Sequence, residues 1–301
     1  MTKKILLVTA IVSAFLLSGN ASAQDGLALM KIEPGARAAG MGGAFVSING
    51  DPMSSAYNPA GAVGSPEFSA SFGHNEYWEN VRLETGYFSA RSSEKLFLHG
   101  GIRFATISDL QSRLTPTADP EGLFDAHDVS FKGGVSYRLT DRVSAGAALG
   151  WMMEKIDAYR GSAFNFDLGV LAQATEAINL GASVSNIGSS FNLSYSGSIS
   201  SRDISLPTTY RFGGSYRYEK YLGALDVVVV DDKAHAHIGA EADLHEYLSL
   251  RAGYMTGYAS KDFTAGASFH ITRYNLDIDY AFVPYSNDLG SSHLINLTLG
   301  I

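Results

Sequence analysis

The feature that most restricts this chain is a period of two that recurs over long segments. From His127 to Leu139, residues Val129, Phe131, Gly133, Val135, Tyr137 and Leu139 fall on one side of an extended backbone, and Ser130, Lys132, Gly134, Ser136 and Arg138 on the other. Phe164, Phe166, Leu168, Val170 and Ala172 alternate in the same way with Asn165, Asp167, Gly169 and Gln173. So do Ala234, Ala236, Ile238, Ala240, Ala242 and Leu244 with His235, His237, Gly239, Glu241 and Asp243. An α-helix would scatter each series around its circumference, so these are strands with one apolar and one wet face. They also exceed the roughly five or six residues of an ordinary strand.

Followed along the chain, the pattern predicts fourteen strands: 67–74, 81–90, 95–107, 128–139, 143–156, 163–173 and 177–186, then 208–218, 222–230, 234–244, 248–257, 262–271, 274–283 and 292–301. The connections alternate in length. Short ones fall at 91–94, 140–142, 174–176, 219–221, 245–247 and 272–273, and the long ones, 108–127, 187–207 and 284–291, all have the other parity. An even-numbered antiparallel barrel in an outer membrane has this asymmetry, with short turns inside and long loops outside the cell. Hydrocarbon cannot satisfy an unpaired strand edge, so the sheet must close. The expected fold class is therefore all-β, a closed antiparallel transmembrane β-barrel of about fourteen strands.

By the same logic most of the strand charges belong in the lumen; Arg82, Glu84, Arg103, Lys132, Asp167, Arg211, Arg217, Glu241, Asp243, Arg251, Asp277 and Asp279 fall mostly on the faces opposite the apolar series. Trp78, Trp151, Tyr159, Tyr218, Tyr221, Tyr258, Tyr274 and Tyr285 lie near strand ends, where an interfacial aromatic girdle is expected. The last strand carries Ile295, Leu297, Leu299 and Ile301 on one face and resembles the carboxy-terminal recognition strand of bacterial outer-membrane proteins, which makes the barrel assembly machinery an expected partner beside outer-membrane lipid. A soluble β-sandwich explains the alternation but neither the loop parity nor the leader.

That leader is residues 1–23, with Lys3 and Lys4 as the basic region, Ile5 to Leu17 as the apolar core and Ala21-Ser22-Ala23 as the cleavage site. Its apolar core is short of the roughly 20 residues a membrane-spanning helix needs. Its removal would start the mature chain at Gln24 and take the formal charge from −8 to −10, which argues against nucleic acid as a partner. With no cysteine in 301 residues, disulfides, thiolate metal sites and a cysteine nucleophile are excluded.

Residues 24–66 break the alternation. Gly35-Ala-Arg-Ala-Ala-Gly-Met-Gly-Gly-Ala-Phe-Val46 and Tyr57-Asn-Pro-Ala-Gly61 are dense in small residues, as expected of a plug packed where bulky side chains do not fit. The domain division is then a signal peptide (1–23), an N-terminal plug segment (24–66) and the barrel (67–301). Gly35, Arg37, Gly40, Gly42, Gly43, Asn58, Pro59 and Gly61 form the plug signature, and Arg37 is expected to pair with a lumen carboxylate such as Glu241 or Asp243.

This run resembles the amino-terminal signature of the PorV/PorQ family, within the wider superfamily of the long-chain fatty acid transporter FadL. Tyr57 stands where many members have Trp, and Asn49-Gly50-Asp51 replaces a more acidic pair. The resemblance implies an outer-membrane accessory to type IX protein secretion that receives or anchors exported cargo, with secretion components as partners. The alternative within the superfamily is a FadL-like transporter of hydrophobic small molecules. Both readings expect a plug.

Catalytic chemistry finds little support. His235 and His237 share a strand face with Glu241 and Asp243, a pattern that suits either a metal site or a polar lumen wall; with no third ligand fixed by spacing, the wall is preferred, and Arg251 joins the lumen candidates. Gly40-Met-Gly42-Gly43 is not a dinucleotide fingerprint, since Phe45 occupies the third glycine's place. No motif singles out a nucleophile. The chain is expected to be no enzyme and to need no cofactor or metal.

Overall fold

The computed structural model describes residues 27–77, 80–113, 115–116, 118–195, 198–199 and 203–301. The leader and Trp78 lie outside them. Fourteen strands make the wall. The first seven are β1 (Phe68–Glu76), β2 (Val81–Arg91), β3 (Leu96–Ser112), β4 (Gly122–Arg138), β5 (Val143–Ile156), β6 (Tyr159–Gln173) and β7 (Ile178–Gly188). The rest are β8 (Thr209–Tyr218), β9 (Tyr221–Val230), β10 (Lys233–His245), β11 (Leu248–Met255), β12 (Phe263–Ile271), β13 (Leu276–Pro284) and β14 (Ser291–Gly300). Each pairs antiparallel with the next, and β14 returns to β1 with Gly300 opposite Ser69 and His293 opposite Glu76, closing the barrel.

The wall is inverted relative to a soluble protein. Phe131, Val135, Leu149 and Phe164 are 47%, 43%, 65% and 68% exposed on the outside, while their neighbours Ser130, Ser136, Asn165 and Asp167 are buried in the lumen. Only a hydrocarbon surround makes such an outer surface stable. The short turns share a device: the hydroxyls of Ser93, Thr140 and Thr175 each accept from the backbone amides two and three residues on. Such local bonds favour tight turns over continued strand.

Three expectations need correction. Most of the expected 108–127 loop is strand: β3 and β4 run past a bulge at Ser108-Asp109, Leu110 faces Phe124, and the connection shrinks to 113–121. The bulge, where Asp109 takes φ +61°, resets the alternation and hides the strand from a period-two reading. The second correction concerns Arg82 and Glu84, which face outward. At the outer end of β2 the pattern flips, with Val81 and Leu83 buried in the lumen while Glu84 meets His74 at 2.7 Å and Arg82 meets Glu76 at 3.3 Å outside. Water and headgroups replace hydrocarbon at that height, so charge there is tolerated. Finally, Tyr258 and Tyr285 turn into the lumen instead of joining a girdle; Tyr258 stacks on His235, and Tyr285 packs beside Ala36, Ala39 and Ala281.

Residues 27–66 lie inside the ring. Their contacts run around the wall: Pro34 O accepts from Thr85 on β2, Ile32 O from Arg103 on β3, Pro59 O from Ser136 on β4 and Tyr57 O from Ser183 on β7. On the opposite side, Gly42 N donates to Thr264 on β12, and Ala36 N to Asn296 on β14. Wall glycines make room. A Cβ at Gly146, Gly169, Gly181 or Gly253 would lie 2.0 to 2.3 Å from Pro59, Asn58, Val46 or Gly42. An inward side chain there would expel the segment.

Candidate functional site

The lumen is built in three levels. At the short-turn end, the five-residue helix Ala36–Gly40 presents Arg37, whose Nε and Nη2 donate to Glu241 at 2.9 and 2.8 Å and whose Nη1 donates to Asp51 at 3.1 Å. Glu241 also accepts from Arg251 Nε at 2.6 Å, and Arg251 Nη1 reaches Asp279 at 3.0 Å. Charges thus alternate from segment to wall, with the Arg251 and Glu241 side chains only 2% and 4% exposed. Asp243 is not part of this chain; it sits on the half-exposed rim, accepting from Ser249 and facing Arg217.

The glycine-rich run supplies the fit above this network. Gly42 and Gly43 have φ of +63° and +73°, and Gly42 lies against the backbones of Ile238, Tyr254 and Gly253. Gly35 abuts Met53, Gly40 abuts Gly266, and Gly61 abuts Ser54. The amides of Phe45 and Val46 both donate to Asp226 on β9, at 2.7 and 2.8 Å. Asn58 binds three ways: its Oδ1 accepts from Ala60 N, and its Nδ2 donates to Val46 O and, across to β6, Val170 O. Pro59 then opens a 3₁₀ turn, where its missing N–H costs nothing.

The middle level is a cavity of about 70 Å³ lined by both segment and wall. Tyr57 donates to Glu33 at 2.6 Å beneath it. Burial pushes the Glu33 carboxyl up, but the charges of Lys261, Arg211 and His237 outweigh that and hold it below its ordinary value. Lys132 bonds Asp167 at 2.6 Å and Asn186 at 2.6 Å. His235 and His237 do not converge on a metal position: His237 Nε2 meets the Tyr258 hydroxyl at 3.0 Å, and His235 Nδ1 meets Thr256 O at 3.1 Å. Among the described residues no group of three His, Asp or Glu side chains is placed to hold a metal ion.

The outer level is apolar. Leu27 and Met30 of the segment meet Val81, Leu83, Ala105, Met152 and Ala163 on inward wall positions, and Phe191, Ile204 and Leu206 roof them from the β7–β8 connection. Phe191 and Ile204 are bridged backbone to backbone, and Phe191 packs against Gly161. On the outside of the wall, a recess of about 560 Å³ lies over Gly86, Gly101, Gly133 and Gly150, rimmed by Phe88, Phe131, Trp151 and Phe164. Lys132 borders both this recess and the lumen cavity.

Sequence reasoning singled out neither the cavity nor the apolar layer. The signal for the first was available: Arg103, Lys132 and Arg211 share the lumen parity, opposite flanking apolar or aromatic residues. The second could be found only by noticing that β2 reverses its alternation near Val81.

No protein-family model matches the chain, and no curated protein is similar to it in sequence. Solved structures share its fold. The toluene transporter TbuX of Ralstonia pickettii superposes with a TM-score of 0.66 at 14% identity, over 89% of this chain and 98% of that one. The toluene transporter TodX of Pseudomonas putida gives 0.62 at 14% identity, over 88% and 96%. A Pseudomonas aeruginosa FadL homologue gives 0.62 at 10% identity, over 88% and 97%. The barrel is therefore FadL-like in architecture.

Proposed function

We propose that the protein is an outer-membrane channel, delivered by its removable leader, that takes up a hydrophobic small molecule past an N-terminal plug. One observation carries this reading: an apolar layer spans the outer end of the lumen, above a middle level lined by Glu33, Arg103, Lys132 and Arg211. Val81, Leu83, Ala105, Met152 and Ala163 occupy wall sites that a water-filled pore would give to hydrophilic side chains. Burying an apolar guest of benzene size there gains several kcal/mol, at about 25 cal/mol per Å² removed from water. The fold shared with toluene transporters supports the same choice. Passage requires rearrangement, because the segment fills the lumen below. The outer recess over Gly86, Gly101, Gly133 and Gly150, which shares Lys132 with the lumen cavity, is our choice of exit.

The secretion-accessory reading rests on the PorV/PorQ-like signature alone. It assigns the surface loops to partner proteins and gives the apolar layer no task. Uptake of a radiolabelled monoaromatic compound by cells carrying the protein, compared with vector-only cells, separates the two. Met152→Glu should lower uptake to the vector level while the barrel still assembles. Equal uptake with and without the protein, joined to periplasmic retention of secreted cargo on deletion, would replace the transport reading with the secretion one.

A further inference from the structure

The middle cavity has a chemistry that the transport reading does not use. Four cationic side chains line it: Lys31, Arg103, Lys132 and Arg211. Two are neutralised nearby, Lys31 by Asp231 and Lys132 by Asp167. Neither Arg103 nor Arg211 has a carboxylate within ion-pair distance among the described residues. Arg211 makes one long bond to Ser185 at 3.4 Å and rests its guanidinium 5.5 Å from the Tyr57 ring centre. Arg103 spends one nitrogen on Ile32 O, and its Nε is buried without a partner.

The carboxylate on the lining, Glu33, is held by the Tyr57 hydroxyl. Asp226, beyond it, gives one oxygen to the amides of Phe45 and Val46. His237, 2% exposed and also on the lining, leaves its Nδ1 without a partner. Buried donors left unmade are costly, about 1–3 kcal/mol each and more where charged. A guanidinium offers a planar fork that fits an oxyanion in two-point contact.

We infer that this cavity is a binding site for a small free oxyanion of phosphate or sulfate size, clasped between Arg103 on β3 and Arg211 on β8. Its volume, about 70 Å³, holds a group of a few heavy atoms and no chain. Met30 and Met152 of the apolar layer lie on its lining beside these cations. The hydroxyl of Ser130 on the same lining supplies a further donor. Because Arg103 also holds Ile32 and Arg211 lies over Tyr57, the anion would tie the segment to opposite walls and steady its seat. The inference does not depend on what the channel transports.

The test uses the full-length barrel purified in a non-ionic detergent, stripped of phosphate and sulfate. Calorimetric titration with phosphate, sulfate, acetate and decanoate gives the affinities, and a selenate soak of crystals gives the position. Saturable one-to-one binding of phosphate or sulfate, an anomalous peak between Arg103 and Arg211, and at least tenfold weaker binding in Arg211→Gln are expected. Ser130→Ala, a small change that keeps the charge, should weaken binding several-fold and guards against misfolding of the arginine variant, which heat-modifiable gel mobility checks. Absence of binding overturns the inference. So does binding of decanoate alone, which would make the cavity the head-group end of a transported amphiphile. Uptake of the monoaromatic probe reads out the transport proposal separately, so either idea can fail without the other.

Discussion

Replacing Arg37 with alanine removes the hinge between segment and wall, and its cost can be worked from the geometry. Three charge-assisted bonds disappear, two of them the parallel pair to Glu241, together with a guanidinium placed 5.6 Å over the Phe45 ring. Such bonds contribute about 1.5–3 kcal/mol each when sheltered. The Arg37 side chain is 22% exposed, which lowers that; Glu241 keeps Arg251, and Asp51, 12% exposed, keeps the Met53 amide. A net loss of about 3 kcal/mol is reasonable, equivalent to roughly 100-fold in the docking equilibrium of the segment.

The barrel's own ladder does not involve Arg37, so its unfolding temperature should barely change. With a cysteine placed at the buried Ser47, thiol labelling of the purified protein should accelerate about 100-fold in the Arg37→Ala background, by the same conversion. Arg217→Ala provides the contrast. Its side chain is 46% exposed and 3.7 Å from Glu241, so its pair is worth less than about 1 kcal/mol and labelling should change little. Equal labelling rates in wild type and Arg37→Ala would refute the idea that this network anchors the segment.

Two further outcomes follow from the wall. Val135→Arg places a charge on the lipid face and should cost the barrel about 2–4 kcal/mol if it lies near the midplane, measured by urea unfolding in bilayers. Ser136→Arg instead drives a side chain into Pro59, whose carbonyl Ser136 now binds, so it should free the segment to protease while sparing the barrel. Single cysteines, clean in a chain without any, should react on intact cells at Asp119 but not at Asp141 or Glu219, and the reverse pattern would invert the topology.

The sequence by itself determined the wall. Period-two alternation is a local property, because successive side chains of a strand must face opposite ways, and hydrocarbon outside leaves no freedom about which face is apolar. Hence the number of strands, the parity of the loops and the lumen face of Lys132, Asp167, Glu241 and Arg251 were legible. The alternation failed where the surroundings change along one strand: at the bulge near Asp109, and at the outer end of β2, where Arg82 and Glu84 leave the lumen and Val81 and Leu83 enter it.

What only the tertiary structure decided is which lumen residues meet. Glycine density at 35–61 announced close packing but not against what; Gly146, Gly169 and Gly181, on the consecutive strands β5, β6 and β7, become one fitted surface only through the pairing register that sets Gly146 opposite Gly169. Glu241 rather than Asp243 receives Arg37, since a two-residue step along a tilted strand separates a buried height from a wet rim. Arg103 and Arg211 stand 108 positions apart in the chain and share a cavity because barrel closure places β3 and β8 around a common interior, a relation that no local pattern encodes.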